Sequence, residues 1–310
     1  MVRSGIVSTV LLRVFNKEGA GHRRGPQKGA GPSAHRGDSQ KGIDRRKEMN
    51  QSERRIYLIK WLLEERGDCA SAQIPYGTEE QRRLLRSLMN VRMPGAIDAD
   101  FLKIQDEYLT QVNFEKGIVK LEDIQEIQDG TYVWRGDITR LAVSAIVNAA
   151  NSGMTGCYVP CHNCIDNCIH TFAGVQLRNK CGEIMKTQGH EEATGQAKLT
   201  PAYNLPCKFV IHTVGPIVQG KLTAEHERLL ASCYRNCLEA ADENNADSIA
   251  FCCISTGVFM FPNERAAEIA VDTVKAYRRE TGSRIKVVFN VFKEDDERIY
   301  RKLLDKKVKI

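Results

Sequence analysis

The pattern of apolar and polar positions changes twice along the chain, so it predicts three regions. Residues 1–48 show no apolar periodicity and are rich in Gly, Arg, Lys and Ser. Such a segment buries too little surface to offset its ordering entropy, and we predict a disordered basic tail. Residues 49–115 have apolar positions at helical spacing and predict a helical extension. Residues 116–310 alternate short apolar runs with amphipathic stretches, which predicts strands followed by helices.

About three helices are predicted in the extension. Asn50 and Glu53 form a capping-box pair before the first helix, and Gly67 marks its end. Thr78–Gln81 repeats the capping-box spacing before a second helix, and a third helix follows Asp98. Because the extension carries no cluster of His, Cys or paired carboxylates, we expect it only to cover an edge of the sheet.

The remainder of the chain predicts a largely parallel sheet that is covered by helices on both faces. Its strands are nearly continuous apolar runs, which is the pattern of strands buried on both sides. Predicted strands lie around Tyr132-Val133-Trp134 and at 145–148, 208–214, 248–254 and 285–291, and predicted helices at 223–244, 263–280 and 294–305.

Charge and cysteine content limit the classes of function. The net charge of +6 comes from residues 1–48, which hold eleven Lys or Arg and four Asp or Glu; residues 49–310 carry a net −1. Nucleic-acid binding by the folded part is therefore not expected. Eleven Cys, an odd number, without a secretory signal indicate reduced thiols and a cytoplasmic protein. The alternative is mitochondrial, if residues 1–15 act as a presequence. No apolar run is long enough for a membrane span.

The segment from 145 to 174 concentrates groups that can do chemistry. A buried strand leads to Asn148 and Asn151, and a turn-rich loop then brings several Cys and His residues close together. Zinc prefers thiolate and imidazole ligands, and three ligands from one loop leave a fourth position open, as in catalytic sites. A cluster of buried thiols or a loop disulfide are the alternatives. Cys161 competes as a ligand, although adjacent residues in extended backbone point opposite ways, so Cys161 and His162 should not both face a metal.

Two further segments could bind a nucleotide. Asp137 follows Gly136 at a predicted strand end, where its carboxylate could accept a hydrogen bond from an exocyclic amine or simply cap a helix. Residues 255–259 lie between a strand and the helix after Pro262, so their backbone N–H groups could hold a pyrophosphate, or they could form a plain turn.

Three motifs resemble the macrodomain family, the ADP-ribose-binding fold: GDIT at 136–139, VNAANS at 147–152 and STGVFMFP at 255–262. Fourteen residues, 152–165, separate Asn151 from Asp166. This long loop with Cys and His resembles the zinc-containing branch that hydrolyses protein-linked ADP-ribose. The resemblance covers about residues 116–306. It implies a three-layer α/β/α macrodomain with a mixed, largely parallel sheet, preceded by a helical N-terminal extension that packs on it.

The resemblance also implies an activity and its residues. The chain would be a zinc-dependent protein-ADP-ribose hydrolase with one Zn²⁺ held by Cys157, His162 and Cys164, and with Asn151 and Asp166 as catalytic residues. Whether Asp166 is a base or an electrostatic stabiliser stays open. The implied contacts with ADP-ribose are Asp137, Ile138, Asn151, Ile165, Asp166, Ser255, Thr256, Gly257, Val258, Phe259 and Phe292. A core position is the alternative for Phe292.

Other functions remain open at this stage. A reader module would bind ADP-ribose without turnover, and the same fold serves both roles. A structural zinc site on an interaction module is a third hypothesis, which the near-neutral folded part disfavours. The substrate implied by resemblance is an ADP-ribosylated protein, modified on Asp or Glu. It could be a lipoyl-carrier protein that works with a sirtuin-like transferase. We assigned His170, His190 and His212 no role beyond helix surface, loop and strand.

Overall fold

Alternating strands and helices dominate the computed structural model, which describes residues 49–67 and 73–305 of the chain. The predictions for residues 1–48 lie outside this part. The helices are α1 (Gln51–Arg66), α2 (Thr78–Val91), α3 (Ala99–Glu115), α4 (Ile165–Ala173), α5 (Val175–Gln188), α6 (Ala224–Glu243), α7 (Asn263–Thr281) and α8 (Glu294–Leu304). The strands are β1 (Val119–Lys120), β2 (Glu126–Gln128), β3 (Thr131–Arg135), β4 (Leu141–Ala142), β5 (Ala145–Ala150), β6 (Ala197–Pro201), β7 (Phe209–Val214), β8 (Ser248–Phe251) and β9 (Lys286–Val291).

Seven of these strands form one sheet in the order β2-β3-β9-β8-β5-β7-β6. The pairs β3–β9, β9–β8, β8–β5 and β5–β7 are parallel, whereas β2 and β6 pair antiparallel at the two edges. The predicted mixed, largely parallel sheet is therefore confirmed. Its central strands are apolar throughout because helices cover both faces: Ala145, Ile146 and Val147 of β5 are fully buried.

Local sequence explains most of the helix boundaries. Asn50 caps α1 with the full capping box to Glu53, and Gly67 ends the helix in the left-handed conformation. Asp98 caps α3 by accepting the N–H of Phe101. The capping box predicted at Thr78 is wrong, because Gly77 occupies the N-cap position and no side chain caps α2.

The extension packs differently from our expectation. Its own apolar cluster is centred on Leu58, Leu62, Leu88 and Phe101, and it is continued by Val175 at the start of α5. Helices α2 and α3 pack against α4, which lies directly after the Cys- and His-bearing loop. The extension therefore does more than cover an edge of the sheet: it supports the segment that carries the candidate site.

Several regular elements were missing from our prediction, among them the short strands β1, β2 and β4, one helix and one edge strand. Helix α5 follows α4 after Gly174, and the edge strand β6 pairs with β7. Strand β6 contains a proline and has polar positions, so it lacks the apolar run that marked the central strands. Within the described residues, no helix has the length and apolar character needed to cross a membrane.

Candidate functional site

The predicted site residues follow the carboxyl ends of four neighbouring strands. Asp137 comes after β3, Phe292 after β9, the loop 255–259 after β8, and Asn151 after β5. These strands are adjacent in the order β3-β9-β8-β5. Parallel strands place their carboxyl ends along one edge of the sheet, where ligands bind in open α/β folds. The sheet thus brings segments from four distant parts of the sequence to one edge.

Asp137 caps the turn after β3, which is one of the two roles that the sequence left open, and it also forms an ion pair. Its Oδ1 accepts the backbone N–H of Thr139 at 3.0 Å, so it caps a short 3-10 turn. Its Oδ2 lies 2.8 Å from Nζ of Lys116, at the end of the extension. Burial opposes ionisation, but the Lys116 charge and the hydrogen bonds from Thr139 outweigh it and lower the pKa of Asp137. The carboxylate is therefore charged and still one-third exposed.

An aromatic side chain lies beside this carboxylate. Gly136 donates its N–H to the carbonyl of Val291 at 3.0 Å, which holds Asp137 next to the start of Phe292. Phe292 is 80% exposed, so it is not a core residue. Ile138 is buried, and its backbone N–H has no acceptor among the described residues. An exposed ring, a carboxylate and a free N–H together suit an adenine base.

The loop after β8 presents unpaired backbone donors. The N–H groups of Gly257, Val258 and Phe259 have no acceptor within the described residues. The loop is held by Phe261, which donates to the carbonyl of Ser255, and Ser255 has a positive φ of 64°. Helix α7 begins directly after this loop and has no side-chain cap. Consecutive free N–H groups beside an uncapped helix N-terminus are suited to an anion, and the pyrophosphate contact of this loop stays a prediction.

Asn151 and Asp166 meet at the end of β5. The amide of Asn151 donates to Oδ2 of Asp166 at 3.3 Å, and the buried Asn148 donates to Oδ1 at 2.8 Å. Asn151 is exposed whereas Asp166 is 5% exposed, so the pair connects a buried carboxylate with the open cleft. Burial raises the pKa of Asp166 to about 6, against the amides and the Arg178 charge, which lower it. Ile165, before Asp166, is half-buried at the start of α4.

Cys157, His162 and Cys164 converge in the loop between β5 and α4. Their ligand atoms all lie within 4.8 Å of one another, and Sγ of Cys157 lies 3.5 Å from Nδ1 of His162. Burial, together with repulsion from the neighbouring Cys157, raises the pKa of the Cys164 thiol to about 12. A zinc ion held by these residues would lower both thiol pKa values, because zinc binds cysteine as the thiolate. The donor set, two sulfurs and one imidazole, fits zinc.

Cys161, the competing ligand, is turned away from this group. Its Sγ lies 3.2 Å from Oγ of Ser87 and within hydrogen-bond distance of the Arg83 carbonyl, both on α2. Its backbone has a positive φ of 53°, which reverses the chain before His162. Cys161 and His162 therefore do not share one group of ligand atoms, as expected, but the backbone at Cys161 is left-handed and not extended as that expectation assumed.

Sequence reasoning missed the side chains that hold this loop in place. Arg86 of α2 donates to the carbonyl of His162 at 2.7 Å, and Asn90 accepts the N–H of Cys161 at 2.9 Å. The buried Asn167 donates to the carbonyls of Cys157 and Val159. These contacts appear only when α2 packs against the ligand loop in the folded protein. The sequence of α2 by itself contains no pattern that marks Arg86 or Asn90.

Two of the three histidines to which we gave no role lie next to Asn148 and Asp166. His170 is 4% exposed, so its assignment to the helix surface is wrong, and its Nε2 lies 3.6 Å from Asp166. His212 is fully buried; Asn148 donates to its Nδ1, and its Nε2 lies 3.0 Å from Thr200 Oγ1. These groups form the polar floor that supports Asn148 and Asp166.

Comparison with known proteins gives the class of protein to which this fold and site belong. The macro domain family matches residues 147–270. A protein-ADP-ribose hydrolase of Treponema medium is 58% identical over 260 residues, 83% of this chain and 100% of that protein. A protein-ADP-ribose hydrolase of Staphylococcus aureus strain Mu50 is 46% identical over 252 residues, 81% of this chain and 94% of that protein. This chain therefore belongs to the macrodomain family.

Solved structures agree with this assignment. A macrodomain of Oceanobacillus iheyensis with ADP has a TM-score of 0.52 and 37% identity, covering 58% of this chain and 93% of that chain. A macrodomain of Trypanosoma brucei in complex with ADP-ribose has a TM-score of 0.56 and 28% identity, covering 71% and 94%. The predicted α/β macrodomain fold is confirmed.

Proposed function

We propose that this chain is a protein-ADP-ribose hydrolase that removes mono-ADP-ribose from a modified protein side chain. One observation carries the proposal: the Asn151–Asp166 pair and the Cys157, His162 and Cys164 group lie together in the segment that links β5 and α4. A module that only binds ADP-ribose needs neither a buried carboxylate nor an open set of metal ligands. The names of the two relatives above support the same activity.

The cleft would bind the two halves of ADP-ribose in different ways. Adenine would lie on Phe292 with its amine on Asp137, and the backbone N–H of Ile138 would add one contact. The pyrophosphate would accept the free N–H groups of the loop 255–259. The distal ribose would then reach Asn151, whose amide can hold a hydroxyl but cannot serve as a base near neutral pH.

We propose that Cys157, His162 and Cys164 hold one Zn²⁺ per chain. When bound, it would supply a Lewis acid that polarises a ribose hydroxyl or water beside the distal ribose. The described side chains supply the rest: Asn148 and Asn151 orient the Asp166 carboxylate, while Arg86 and Asn90 fix the ligand loop. Pre-oriented polar groups of this kind need little reorganisation during reaction.

The reaction is hydrolysis of the glycosidic bond. A water oxygen forms a bond to C1″ of the distal ribose, while the bond from C1″ to the acceptor oxygen breaks and its electron pair leaves with the acceptor. Asp166 accepts the proton of the water or stabilises positive charge developing on the ribose. For an Asp or Glu acceptor the products are ADP-ribose, a free carboxylate and a proton.

Asp and Glu are the acceptors that we propose. Resemblance alone suggests a lipoyl-carrier protein as substrate and a sirtuin-like transferase as the enzyme that modifies it. Proteins carrying ADP-ribose on Glu, on Ser and on Arg would be compared as substrates under single-turnover conditions. Faster release from the Glu-linked protein supports the acceptor assignment, and release only from the Ser- or Arg-linked protein contradicts it.

The experiment that tests the proposed function joins metal analysis with product release. The purified protein should contain about one zinc and should release ADP-ribose from a modified protein. Tight binding of ADP-ribose without release from any linkage, with zinc present, would identify a reader module instead.

A further inference from the structure

A cavity lies beside the ligand loop, between the extension and the macrodomain. It has a volume of about 730 Å³ and is bounded by α2, α3, α4 and the ligand loop. Its lining shares no residue with the predicted ADP-ribose contacts. We refer to it as the α2–α3 groove. At one end it reaches Cys161 and Asn163, which flank the proposed ligand His162.

Charge on the α2–α3 groove is mainly positive. Arg82, Arg83 and Arg86 line it from α2, and Lys116 lines it from the end of α3. The carboxylates of Glu79 and Glu115 oppose them. Arg82 is paired with Glu79. Arg83 is exposed, and its side chain has no partner among the described residues. The groove therefore holds a net positive charge with one arginine available to a ligand.

The floor of the groove is apolar. Leu109 and Val112 of α3 and Phe172 of α4 line it beneath the basic side chains. An apolar floor with a charged rim is the anatomy of a surface that takes a peptide segment. Positive potential at such a rim attracts acidic partners and rejects basic ones.

We propose that the α2–α3 groove docks an acidic segment of the ADP-ribosylated protein substrate, next to the modified residue. The proposal rests on the proposed function, because the acceptor protein must leave the cleft at the distal ribose, beside the ligand loop. The groove begins at that loop, at Cys161 and Asn163. The macrodomain cleft would then read ADP-ribose, and the extension would read the protein to which it is attached.

Two synthetic peptides provide the test. Both carry the same ADP-ribosylated Glu, and they differ only in flanks of Asp and Glu or of Asn and Gln. Affinity for each is measured in the Asp166→Ala variant, where release should be slow, and KM in the wild type. We expect the acidic peptide to bind roughly 3- to 10-fold more tightly, the scale of a few exposed charge pairs. This preference should shrink when salt rises from roughly 50 to 300 mM.

The Arg82→Gln/Arg83→Gln variant should lose this preference and keep its affinity for free ADP-ribose. Arg298→Gln/Lys302→Gln is the matched control. Arg298 forms an i,i+3 ion pair with Asp295, as Arg82 does with Glu79. Both control residues lie on α8, which packs against β3, β9 and α7 and not against the groove. The control should keep the preference.

An unchanged preference for the acidic peptide in the Arg82→Gln/Arg83→Gln variant would overturn the proposal. Equal binding of both peptides by the Asp166→Ala protein that retains both arginines would also overturn it. A single-stranded oligonucleotide that binds more tightly than the acidic peptide, and only when both arginines are present, would assign the groove to nucleic acid instead. If the wild type releases ADP-ribose from neither peptide, the proposed activity fails, and the affinities still decide whether the groove binds acidic segments.

Discussion

Replacing Asp137 by Ala tests how the cleft recognises adenine. The carboxylate uses Oδ1 for Thr139 and Oδ2 for Lys116, and its exposed side remains available for the adenine amine. A hydrogen bond to a charged group contributes about 1.5–3 kcal/mol. Since 1.4 kcal/mol is a factor of ten, the Kd for ADP-ribose should rise by about 10- to 150-fold.

Calorimetry with ADP-ribose, AMP and ribose 5-phosphate would measure this effect and locate it. The loss should appear with the two ligands that contain adenine and be absent for ribose 5-phosphate. Asp137→Asn keeps an acceptor oxygen but loses the ion pair with Lys116, so its loss should be smaller. Asp98→Ala is the matched control, because Asp98 also caps a helix and lies outside the predicted contacts.

Unchanged affinity in Asp137→Ala would refute the assignment. Asp137 would then be only the cap of the turn at Ile138–Arg140 and the partner of Lys116. An equal loss in Asp98→Ala would show that the effect comes from general destabilisation and not from the adenine contact.

Three further predictions concern metal, pH and the tail. Elemental analysis should show that Cys157→Ala loses the bound zinc and that Cys161→Ala keeps most of it. Loss of zinc in Cys161→Ala with retention in Cys157→Ala would change the ligand assignment. Burial lowers the pKa of His212 from 6.5 to about 3 in the folded protein. Between pH 6.5 and pH 3 the unfolded chain therefore binds a proton at His212 and the folded protein does not. Because protons favour the state that binds them, stability falls as pH drops below 6.5. The contribution of His212 to this loss should be about 2 kcal/mol at pH 5. His212→Gln should therefore lose stability with falling pH less steeply than the wild type, while the buried His170, whose pKa is also lowered by burial, still contributes. The exposed His190→Gln is the control, and denaturant unfolding that gives equal slopes of stability against pH in all three proteins would contradict this. A chain that begins at Met49 should keep full turnover on a small ADP-ribosyl ester, and a folded but inactive product would mean that the tail completes the site.

The parts of the fold that sequence revealed are those with a strong local signal. Buried runs such as 145–148 and caps such as Asn50 depend on neighbouring residues, so they could be read directly. Strand β6 and helix α5 could not, since the apolar pattern of each is weak and their positions depend on packing against β7 and α4.

The site also has residues that the sequence could predict and residues that it could not. Asp137, Asn151 and the loop 255–259 follow strands, so the sheet order alone brings them together. Arg86 and Asn90 hold the ligand loop from a helix that lies about seventy residues earlier in the chain. No spacing rule connects them with His162. His170 is a polar residue in a predicted helix, so the sequence suggested a surface position. The contact between α4 and β5 buries it.

We predict that Asp166 affects catalysis more than binding. Its carboxylate accepts the amide of Asn151 after β5, whereas the predicted adenine and pyrophosphate contacts follow β3, β9 and β8. Removing it should therefore affect the transition state far more than the bound product. Asp166→Asn keeps the shape of the side chain and is the matched control for packing.

Single-turnover release of ADP-ribose from a modified protein, measured beside calorimetric affinity for free ADP-ribose, tests the account most directly. Asp166→Ala should slow release by about 10²-fold or more, the scale of a lost acid–base or electrostatic group, while its Kd changes far less. If the wild type binds ADP-ribose tightly but releases none with zinc present, or if Asp166→Ala releases it as fast as the wild type, the assignment of catalysis to this carboxylate is contradicted.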